Sequence, residues 1–410
     1  MTGSPITSPP SDPRRKTALC LIPLVICLFF LGRTILGERT ARKQLVISDL
    51  TTMPGDWADE NSCVECHEQG ETFWATGHAK TLSRATQPDS AARLLKIAMS
   101  PRPTSEMTSV RAEGDHLLAV HHTSEQIREV ALDWCFGSGT HAQTWTCTMP
   151  EADGTLSQME FRWTWYREID GFDLTPGQAE TASPGFFHGL GVLFDSPRTG
   201  RCFSCHTSRL PVVHGQIQED QIHMGVTCQR CHGPRQPHVA SDGAIVNPEW
   251  RGIDRDDSVQ RCAQCHRLPE QNPRNQLHPD NPGIVRFQPI GLMKSACYLN
   301  SDMSCITCHD PHKTMKQQDS AGIWQCLQCH NPDNQRHTTC QAGETENCLE
   351  CHMPRVPIDA PVAFTDHWIR IRQTPPAEQA ARNSGNPDMD ARGGQERSGE
   401  ASTPRDEVSQ

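Results

Sequence analysis

Residues 305–312 read Cys-Ile-Thr-Cys-His-Asp-Pro-His, and the first five of them form the pattern Cys-x-x-Cys-His that decides how this chain folds. The same pattern occurs seven times. The instances are Cys63/Cys66/His67, Cys202/Cys205/His206, Cys228/Cys231/His232, Cys262/Cys265/His266, Cys305/Cys308/His309, Cys326/Cys329/His330 and Cys348/Cys351/His352. With 20 Cys and 20 His in 410 residues, chance alone would give about 0.05 such motifs. The repeat therefore reflects one chemistry that is used many times.

The spacing of the motif fits covalent attachment of haem. Two thiols three residues apart can add to the two vinyl groups of one haem, and the adjacent His is then placed to bind the iron from the proximal side. A zinc ribbon also uses Cys-x-x-Cys, but in pairs and without the following His. A redox dithiol does not come in seven copies. The sequence therefore predicts seven covalently attached haem c groups, with the seven motif His as proximal ligands.

The composition indicates that the side chains alone would not fill the interior of the protein. Hydrophobic residues make up 35% of the chain, and there are two tyrosines. A chain this polar fills a large core poorly, so bound haems would supply the missing apolar volume. The formal net charge is −11, and no basic stripe stands out, which argues against nucleic-acid binding.

The N-terminal residues 1–37 predict export from the cytoplasm. Three basic residues, Arg14 to Lys16, precede an apolar run from Ala18 to Leu31. That run reaches about 20 residues, enough to span a membrane, if it extends to Gly37. No Ala-x-Ala-like site follows, which favours an uncleaved signal-anchor over a cleaved signal peptide. Haem attachment of this kind takes place outside the cytoplasm, so we expect the chain on the periplasmic side of a bacterial inner membrane.

The motifs divide the rest of the chain unequally. We interpret residues 38–62 as a linker, residues 63–370 as the multihaem domain, and residues 371–410 as a disordered tail rich in Pro, Gly, Ser, Glu and Arg. One motif begins the domain, and six are crowded into residues 202–352. Short helices and loops wrapped around haems are expected there.

The stretch between the first and second motifs predicts a helical part followed by a small β insertion. Residues 71–99 have a helical pattern. From about 107 to 175 the pattern is typical of strands, with an Asp153-Gly154 hairpin turn. The candidate strands are residues 116–120, 130–136, 144–149 and 159–169. The predicted fold class is therefore mainly α with irregular haem-wrapping loops, plus a small antiparallel β insertion.

Several short segments around the motifs carry a family resemblance. They are Trp74-Ala75-Thr76-Gly77-His78, Gly137–Gln143, Cys231-His232-Gly233-Pro234 ending at His238, Cys308–His312, and Cys351-His352-Met353-Pro354 followed by Asp366-His367. In these residues the chain resembles the multihaem c-type cytochromes related to cytochrome c554 and hydroxylamine oxidoreductase, over roughly residues 60–370. The resemblance implies closely packed haems, mostly with two His ligands. Many relatives carry a helical-repeat domain after the last haem, where this chain has a polar tail.

Four of the His outside the motifs are favoured as distal ligands by these segments and by spacing: His78, His238, His312 and His367. His312 lies three residues after His309. Three residues span at most about 10 Å, too little to pass round a porphyrin, so His312 should bind a neighbouring haem. We expect the same of His238, which lies six residues after His232.

Further candidate ligands are less specific. His278 and His337 follow in rank. The seventh distal position stays open between His141, His188, His214 and His223. Three His on the β insertion, namely His116, His121 and His122, are interpreted as exposed or core imidazoles.

Four Cys lie outside both the motifs and the N-terminal segment. An exported protein tends to oxidise such residues. Cys135 and Cys147 fall on neighbouring candidate strands and are a candidate disulfide, which would leave Cys297 with Cys340 by elimination. The connectivity cannot be deduced from sequence.

The predicted haem sites are compatible with two functions. The favoured one is an electron carrier in which every iron has two axial His, exchanging electrons with a quinol-oxidising membrane complex or a periplasmic cytochrome. The alternative is an oxidoreductase acting on a small nitrogen or sulfur compound at a five-coordinate haem. The Cys-x-x-Cys-Lys motif of the pentahaem nitrite reductases is absent from the sequence. Neither Tyr166 nor Tyr298 matches the cross-linked tyrosine of hydroxylamine oxidoreductase.

Overall fold

The computed structural model describes residues 55–182, 187, 189–246, 250–279, 281–318, 321–331, 340 and 347–371. The predicted signal-anchor, residues 38–54 of the predicted linker, and residues 372–410 of the predicted tail lie outside these residues. Residues 55–62, which end the predicted linker, contact the motif region. Ala58 is buried there, and its backbone N–H donates to the side chain of Gln229 at 2.9 Å.

Helices are short throughout the part of the chain that the structure describes. In chain order they are α1 Gln69–Phe73, α2 Pro88–Leu95, α3 Pro101–Ser105, α4 Ser196–His206, α5 Cys228–His232, α6 Gln236–Ala240, α7 Arg255–His266, α8 Gln288–Leu292, α9 Ala296–Leu299, α10 Cys305–Cys308, α11 Met315–Gln318, α12 Ala321–His330 and α13 Cys348–His352. Turns of 3₁₀-helix cover Glu60–Glu65, Lys96–Met99, Arg167–Ile169, Glu219–Gln221, Pro269–Gln271, Arg274–Gln276 and Pro282–Ile284. Within these ranges no helix is long and apolar enough to cross a membrane.

Strands are more numerous than the sequence predicts. They are β1 Leu82–Arg84, β2 Thr108–Glu113, β3 His116–His122, β4 Ile127–Leu132, β5 Trp134–Phe136, β6 Ala142–Pro150, β7 Leu156–Tyr166, β8 Gly171–Leu174, β9 Gly191–Phe194, β10 Thr207–Arg209, β11 Val212–Val213, β12 Gln216–Ile217, β13 His223–Met224, β14 Arg355–Ile358 and β15 Ala360–Thr365. A six-stranded antiparallel sheet has the order β1-β5-β6-β7-β8, with β9 paired to β7. The others are a three-stranded sheet, β2-β3-β4, and three two-stranded ribbons.

The β insertion has its own hydrophobic core. Trp145, Met159 and Trp163 are fully buried between the strands, and the indole Nε1–H of Trp145 donates to Ser90 Oγ at 2.9 Å. Each such side chain contributes about 1.5–3 kcal/mol by burial. This core needs no haem, which explains why a motif-free stretch can fold inside a haem protein.

The candidate strand 130–136 is two strands in two different sheets. Asp133 separates β4 from β5, and its carboxylate accepts hydrogen bonds from the backbone N–H and the hydroxyl of Thr148, at 2.8 and 3.1 Å. The Asp153-Gly154 turn is confirmed: it connects β6 to β7, and Gly154 has a φ of +82°. Candidate strand 159–169 ends early, because residues 167–169 form a 3₁₀ turn.

The helical prediction for residues 71–99 is wrong in its middle. Helix α1 ends at Phe73, and β1 follows at Leu82–Arg84, paired with β5. The strand buries Leu82, and the new helix α2 begins at Pro88, where proline is favoured. His78 consequently lies in a turn and not four residues along a helix from Trp74.

The fold class is mixed rather than mainly α. Helix makes up 37% and strand 24% of the structure. The sequence predicts too few strands because the strands of the three ribbons are only two to six residues long. These ribbons pair β10 with β13, β11 with β12, and β14 with β15. Such short strands have too few alternating positions to show a period of two.

The predicted disulfides do not form in the structure, where Cys135, Cys147, Cys297 and Cys340 are all free. The sheet register gives the reason for the first pair. Cys135 lies opposite Trp145, and Cys147 lies opposite Met159, so the two Cys are diagonal neighbours. Diagonal neighbours on adjacent strands lie about 7–8 Å apart, with a somewhat shorter Cβ–Cβ distance, whereas a disulfide needs Cβ atoms about 3.5–4.5 Å apart.

Candidate functional site

Each described motif lies at the end of a short helix. Helices α4, α5, α7, α12 and α13 end on the motif His itself, α10 ends on Cys308, and the first motif begins on the 3₁₀ turn Glu60–Glu65. Residues three apart on a helix share a face. The two thiols of a motif therefore point to the same side, and the imidazole follows them directly.

Four of the predicted haem-attachment residues, Cys66, Cys231, Cys329 and Cys351, are exposed. Their motif partners Cys63, Cys228, Cys326 and Cys348 are half-buried. Each lies where its element ends. Cys66 follows the turn Glu60–Glu65, with its backbone N–H donating to Cys63 O, and Cys329 is the last residue but one of α12. In these four motifs the chain covers the first thiol and leaves the second one exposed. Their assignment to haem stays a prediction from the motif spacing.

Four of the motif imidazoles are opposed by an imidazole from elsewhere in the chain. The pairs, with the distance between ring centroids, are His67 with His238 at 6.2 Å, His78 with His266 at 6.3 Å, His232 with His312 at 6.1 Å, and His309 with His367 at 6.1 Å. The non-motif members are the four His that the sequence ranked first. Each faces a motif other than the one that precedes it in the chain.

The separation of the paired rings suits one metal ion between them. A metal–imidazole bond is about 2 Å long, so two imidazoles on opposite sides of one metal have centroids roughly 6 Å apart. Direct stacking would bring the rings closer. The pairs His67–His238 and His232–His312 are also close to parallel, with interplanar angles of 21° and 18°.

In every pair, one ring has its Nδ1 held by an acceptor. Nδ1 lies 2.8 Å from Ile245 O in His238, 2.8 Å from Gln288 Oε1 in His266, 3.1 Å from Asp310 Oδ1 in His312, and 3.0 Å from Thr365 O in His367. The acceptor oxygens require a proton on Nδ1. The lone pair of each of these rings is therefore on Nε2, and hydrogen bonds of this type orient metal-binding His.

Burial keeps several of these imidazoles neutral. Desolvation lowers the pKa of His78, His232 and His367 to about 4 and also lowers the pKa of His266 and His309. Neighbouring imidazoles add to the effect, since His78 lies near both His266 and His309. A neutral ring is the form that binds a metal.

The remaining motif imidazoles have different surroundings. His206 is half-buried, and its Nδ1–H donates to Thr81 O at 2.9 Å. The ring beside it is Phe136 at 5.1 Å, and within the described ranges no second imidazole is stacked on it. His352 Nδ1 donates to Arg370 O at 3.1 Å, and the Arg370 guanidinium donates to Pro279 O at 2.8 Å. Arg370 thus connects the last motif to the segment that contains His278.

The other His candidates are placed as follows. His141 is exposed and lies 5.4 Å from the Phe364 ring. His214 is exposed in the turn before β12. His223 Nδ1 lies 3.1 Å from Glu60 Oε1, and its ring meets Trp57 edge-on. His188 and His337 lie outside the described residues.

The His of β3 behave as the sequence predicts. His116 and His122 are exposed. His121 is buried, and its Nδ1 lies 3.2 Å from the hydroxyl of Thr108 on β2. All three belong to the β insertion.

Cysteines of different motifs contact each other. The Sγ atoms of Cys63 and Cys228 lie within 4.8 Å of each other, together with a carboxylate oxygen of Glu60. Two further pairs of thiols are in hydrogen-bonding contact, Cys205 with Cys265 and Cys262 with Cys305. Motifs distant in sequence are therefore immediate neighbours in space.

These residues fit haem c. The chain offers paired thiols on one face of a helix, an imidazole directly after them, and for four sites a second imidazole at the separation that one metal requires. Sequence reasoning missed three groups that hold these rings, namely Gln288 and the carbonyl oxygens of Ile245 and Thr365. Asp310 lies within the segment Cys308–His312, which carries part of the family resemblance.

Comparison with known proteins supports the same class, a multihaem c-type cytochrome with covalently bound haem c. No family model matches the chain. The dissimilatory sulfite reductase MccA of Wolinella succinogenes is 22% identical over 177 residues, 34% of this chain and 23% of that protein. The multiheme cytochrome MtrA of Shewanella baltica is 25% identical over 200 residues, 44% of this chain and 59% of that protein.

The chain thus spans about a quarter and three fifths of the lengths of these two relatives. Among solved structures, the outer cell wall cytochrome OcwA aligns with a TM-score of 0.46 and 13% identity, covering 80% of this chain and 82% of that one.

Proposed function

We propose that the chain binds seven haem c groups and carries electrons between redox partner proteins. The observation that carries the proposal is the set of four opposed imidazole pairs, each joining a motif His to a His from a different segment. An iron with an imidazole on each side has no open position for a substrate. Two imidazoles also favour a lower reduction potential than a His/Met pair.

The proposed axial ligands follow from the pairs. His238 completes the first site, His312 the third, His78 the fourth and His367 the fifth. For the seventh site we propose His278, because Arg370 connects its segment to His352. His337 remains a proposed ligand from its sequence position alone.

The protein's own residues hold and insulate these sites. When bound, haem supplies an iron that accepts and releases one electron. Gln288, Asp310 and the carbonyl oxygens of Ile245 and Thr365 fix the orientation of the ligand rings. Three of these rings, His266, His309 and His367, are half-buried, which limits their contact with solvent.

We further propose that residues 1–37 anchor the chain to the periplasmic face of a bacterial inner membrane. The basic residues before the apolar run and the lack of a small-residue cleavage site support this. The anchor would place the sites beside a quinol-oxidising membrane complex or a periplasmic cytochrome. MtrA, a relative named as a multiheme cytochrome, is consistent with a carrier.

Two measurements on mature protein test this proposal. A pyridine haemochrome assay normalised to protein should give seven covalent haems, and five or fewer would contradict the count. N-terminal sequencing should begin before residue 37, on protein that needs detergent for extraction. A soluble product that starts after residue 37 would show that the segment is a cleaved signal peptide.

A second candidate function is an oxidoreductase acting on a small nitrogen or sulfur oxyanion. The observation that favours it is His206, whose neighbouring ring among the described residues is Phe136 and not an imidazole. The relative MccA is named as a sulfite reductase. If this function is right, the oxidised protein should bind cyanide at one haem without mutation, and reduced protein should turn over sulfite or nitrite.

A further inference from the structure

The fourth motif, on α7, packs against several other motifs. Helix α7 packs against α4, which carries the second motif, and against α10, which carries the fifth. It also packs against α8, whose Gln288 side chain holds the Nδ1 of His266. Helices α10 and α12 contact two motif helices each as well, so the side chains of the motifs are needed to tell which site has the most neighbours.

The two cysteines of this motif face two different neighbours. Cys265 contacts Cys205 of the second motif, and Cys262 contacts Cys305 of the fifth. Cys231 of the third motif is also an electrostatic neighbour of Cys262. Each thiol marks the edge of the haem that it attaches, so motifs whose thiols meet hold haems that are neighbours.

The imidazoles repeat this arrangement. His266 is an electrostatic neighbour of His206 in the second motif and of His309 in the fifth. His78, the ring opposed to His266, is also near His309. Two independent sets of side chains therefore place the fourth site beside the second and the fifth.

In the part of the chain that the structure describes, the first motif has fewer such contacts. Cys63 of the first motif meets Cys228 of the third. Cys326 of the sixth is a neighbour of Cys308 of the fifth and of Cys348 of the seventh. From these contacts the first site has one neighbouring motif, the third, whereas the fourth site has three.

We propose that the fourth site, Cys262/Cys265/His266 with His78, is the branch point of a branched haem network. One arm runs through the third site to the first, one through the fifth to the sixth and seventh, and the second site forms a separate arm. The order of electron transfer is therefore not the order of the motifs along the chain. Each transfer oxidises one site and reduces its neighbour by one electron. The inference rests on the proposed function, because it needs the haems in place.

The branch point can be tested through the charge that a reduced site imposes on its neighbours. His78→Met should raise the potential of the fourth haem, since a His/Met pair has a higher potential than two His. That haem is then reduced first, and its extra electron makes each adjacent haem harder to reduce. In a potentiometric titration followed by electron paramagnetic resonance (EPR), three other haems should shift to lower potential. His238→Met at the first site is the matched control, and one other haem should shift.

The outcomes separate this inference from the proposed function. A haemochrome count below that of the unmodified protein, or an unchanged set of low-spin signals in His78→Met, would overturn the haem and ligand assignments. If His78→Met keeps its full haem count and loses one bis-His signal, but the reduction potential of only one other haem shifts, the branch point alone is overturned.

A reciprocal pair of variants keeps the test decisive if His78→Met does not fold. His312→Met at the third site and His367→Met at the fifth should each lower the reduction potential of the fourth haem. The fourth haem is identified as the one that loses its bis-His signal in His78→Ala. His312→Met should leave the reduction potential of the fifth haem unchanged, and His367→Met should leave that of the third haem unchanged. A direct shift between the third and fifth haems, with the fourth unmoved, would contradict the proposed branching.

Discussion

The imidazole rings of His232 and His312 face each other with centroids 6.1 Å apart and an interplanar angle of 18°. His312 follows the fifth motif by three residues, yet its ring lies beside the imidazole of the third. Asp310 fixes this orientation by accepting from both the backbone N–H and Nδ1 of His312. The chain thus exchanges side chains between motifs that are 77 residues apart, since His309 minus His232 is 77.

His312→Ala should open one iron at the third site. The expected result is one new high-spin signal in the oxidised protein, carbon monoxide binding to one haem in seven when reduced, and full covalent haem content. Added imidazole should restore the low-spin signal. His116→Ala, an exposed His on β3, is the control and should leave the spectrum unchanged. Equal spectra for both variants would show that His312 is not a ligand.

Gln288 should tune the haem of the fourth site through His266. Its Oε1 accepts from His266 Nδ1 at 2.8 Å, and a hydrogen bond of this kind raises the basicity of a ligating imidazole. Gln288→Glu should lower the potential of one haem, and Gln288→Leu should raise it. Redox titration of both variants checks this, and shifts of the same sign in the two would refute it.

Cys135 and Cys147 should be reduced in the mature protein. Burial raises the pKa of both thiols to about 12, so neither should react with a thiol reagent in the folded protein at pH 8. In guanidinium without reductant, the unmodified protein should release two more reactive thiols than the Cys135→Ala/Cys147→Ala variant. An equal number in the two proteins would mean that a disulfide links them after all.

Glu160 should make stability depend on pH. Burial raises its pKa to about 7 from an ordinary 4.5, so the folded state holds the proton more tightly than the unfolded chain. The resulting stabilisation is complete below about pH 4.5 and is lost as pH rises to about 7, amounting to up to about 3 kcal/mol.

Glu160→Gln, which stays neutral, should therefore match the unmodified protein at pH 4.5 and exceed it in unfolding midpoint at pH 8. Guanidinium unfolding at the two pH values measures this. Glu125→Gln at an exposed position is the control. A variant that is no more stable at pH 8 would show that Glu160 is ionised in the fold without penalty.

The haem chemistry was readable from sequence because it is local. Two thiols and one imidazole must lie within five residues, so the motif itself states the site. The four first-ranked His also lie beside motif rings in the structure. For His312 the reason is local, because the short segment His309-Asp310-Pro311-His312 restricts where its imidazole can reach.

Long-range features were not readable in the same way. Which motif each of His78, His238 and His367 faces depends on how distant segments pack, and no local pattern encodes that. The exposure of Cys66, Cys231, Cys329 and Cys351 likewise depends on which segments cover each motif, and the five-residue pattern is the same for exposed and half-buried thiols.

The β insertion shows the same limit. The division of residues 127–136 into two sheets depends on one side chain, because the Asp133 carboxylate accepts a hydrogen bond from the backbone N–H of Thr148. The free state of Cys135 depends on a diagonal register with Cys147 that strand patterns alone do not give.

The spin state of the oxidised, unmodified protein tests the central claim most directly. If all seven irons have two axial His, EPR should show only low-spin haem, and the reduced protein should bind little carbon monoxide. The result that would contradict the carrier is one high-spin haem in the unmodified protein, with carbon monoxide binding to it. In that case the His206 site is the first place to look for catalysis.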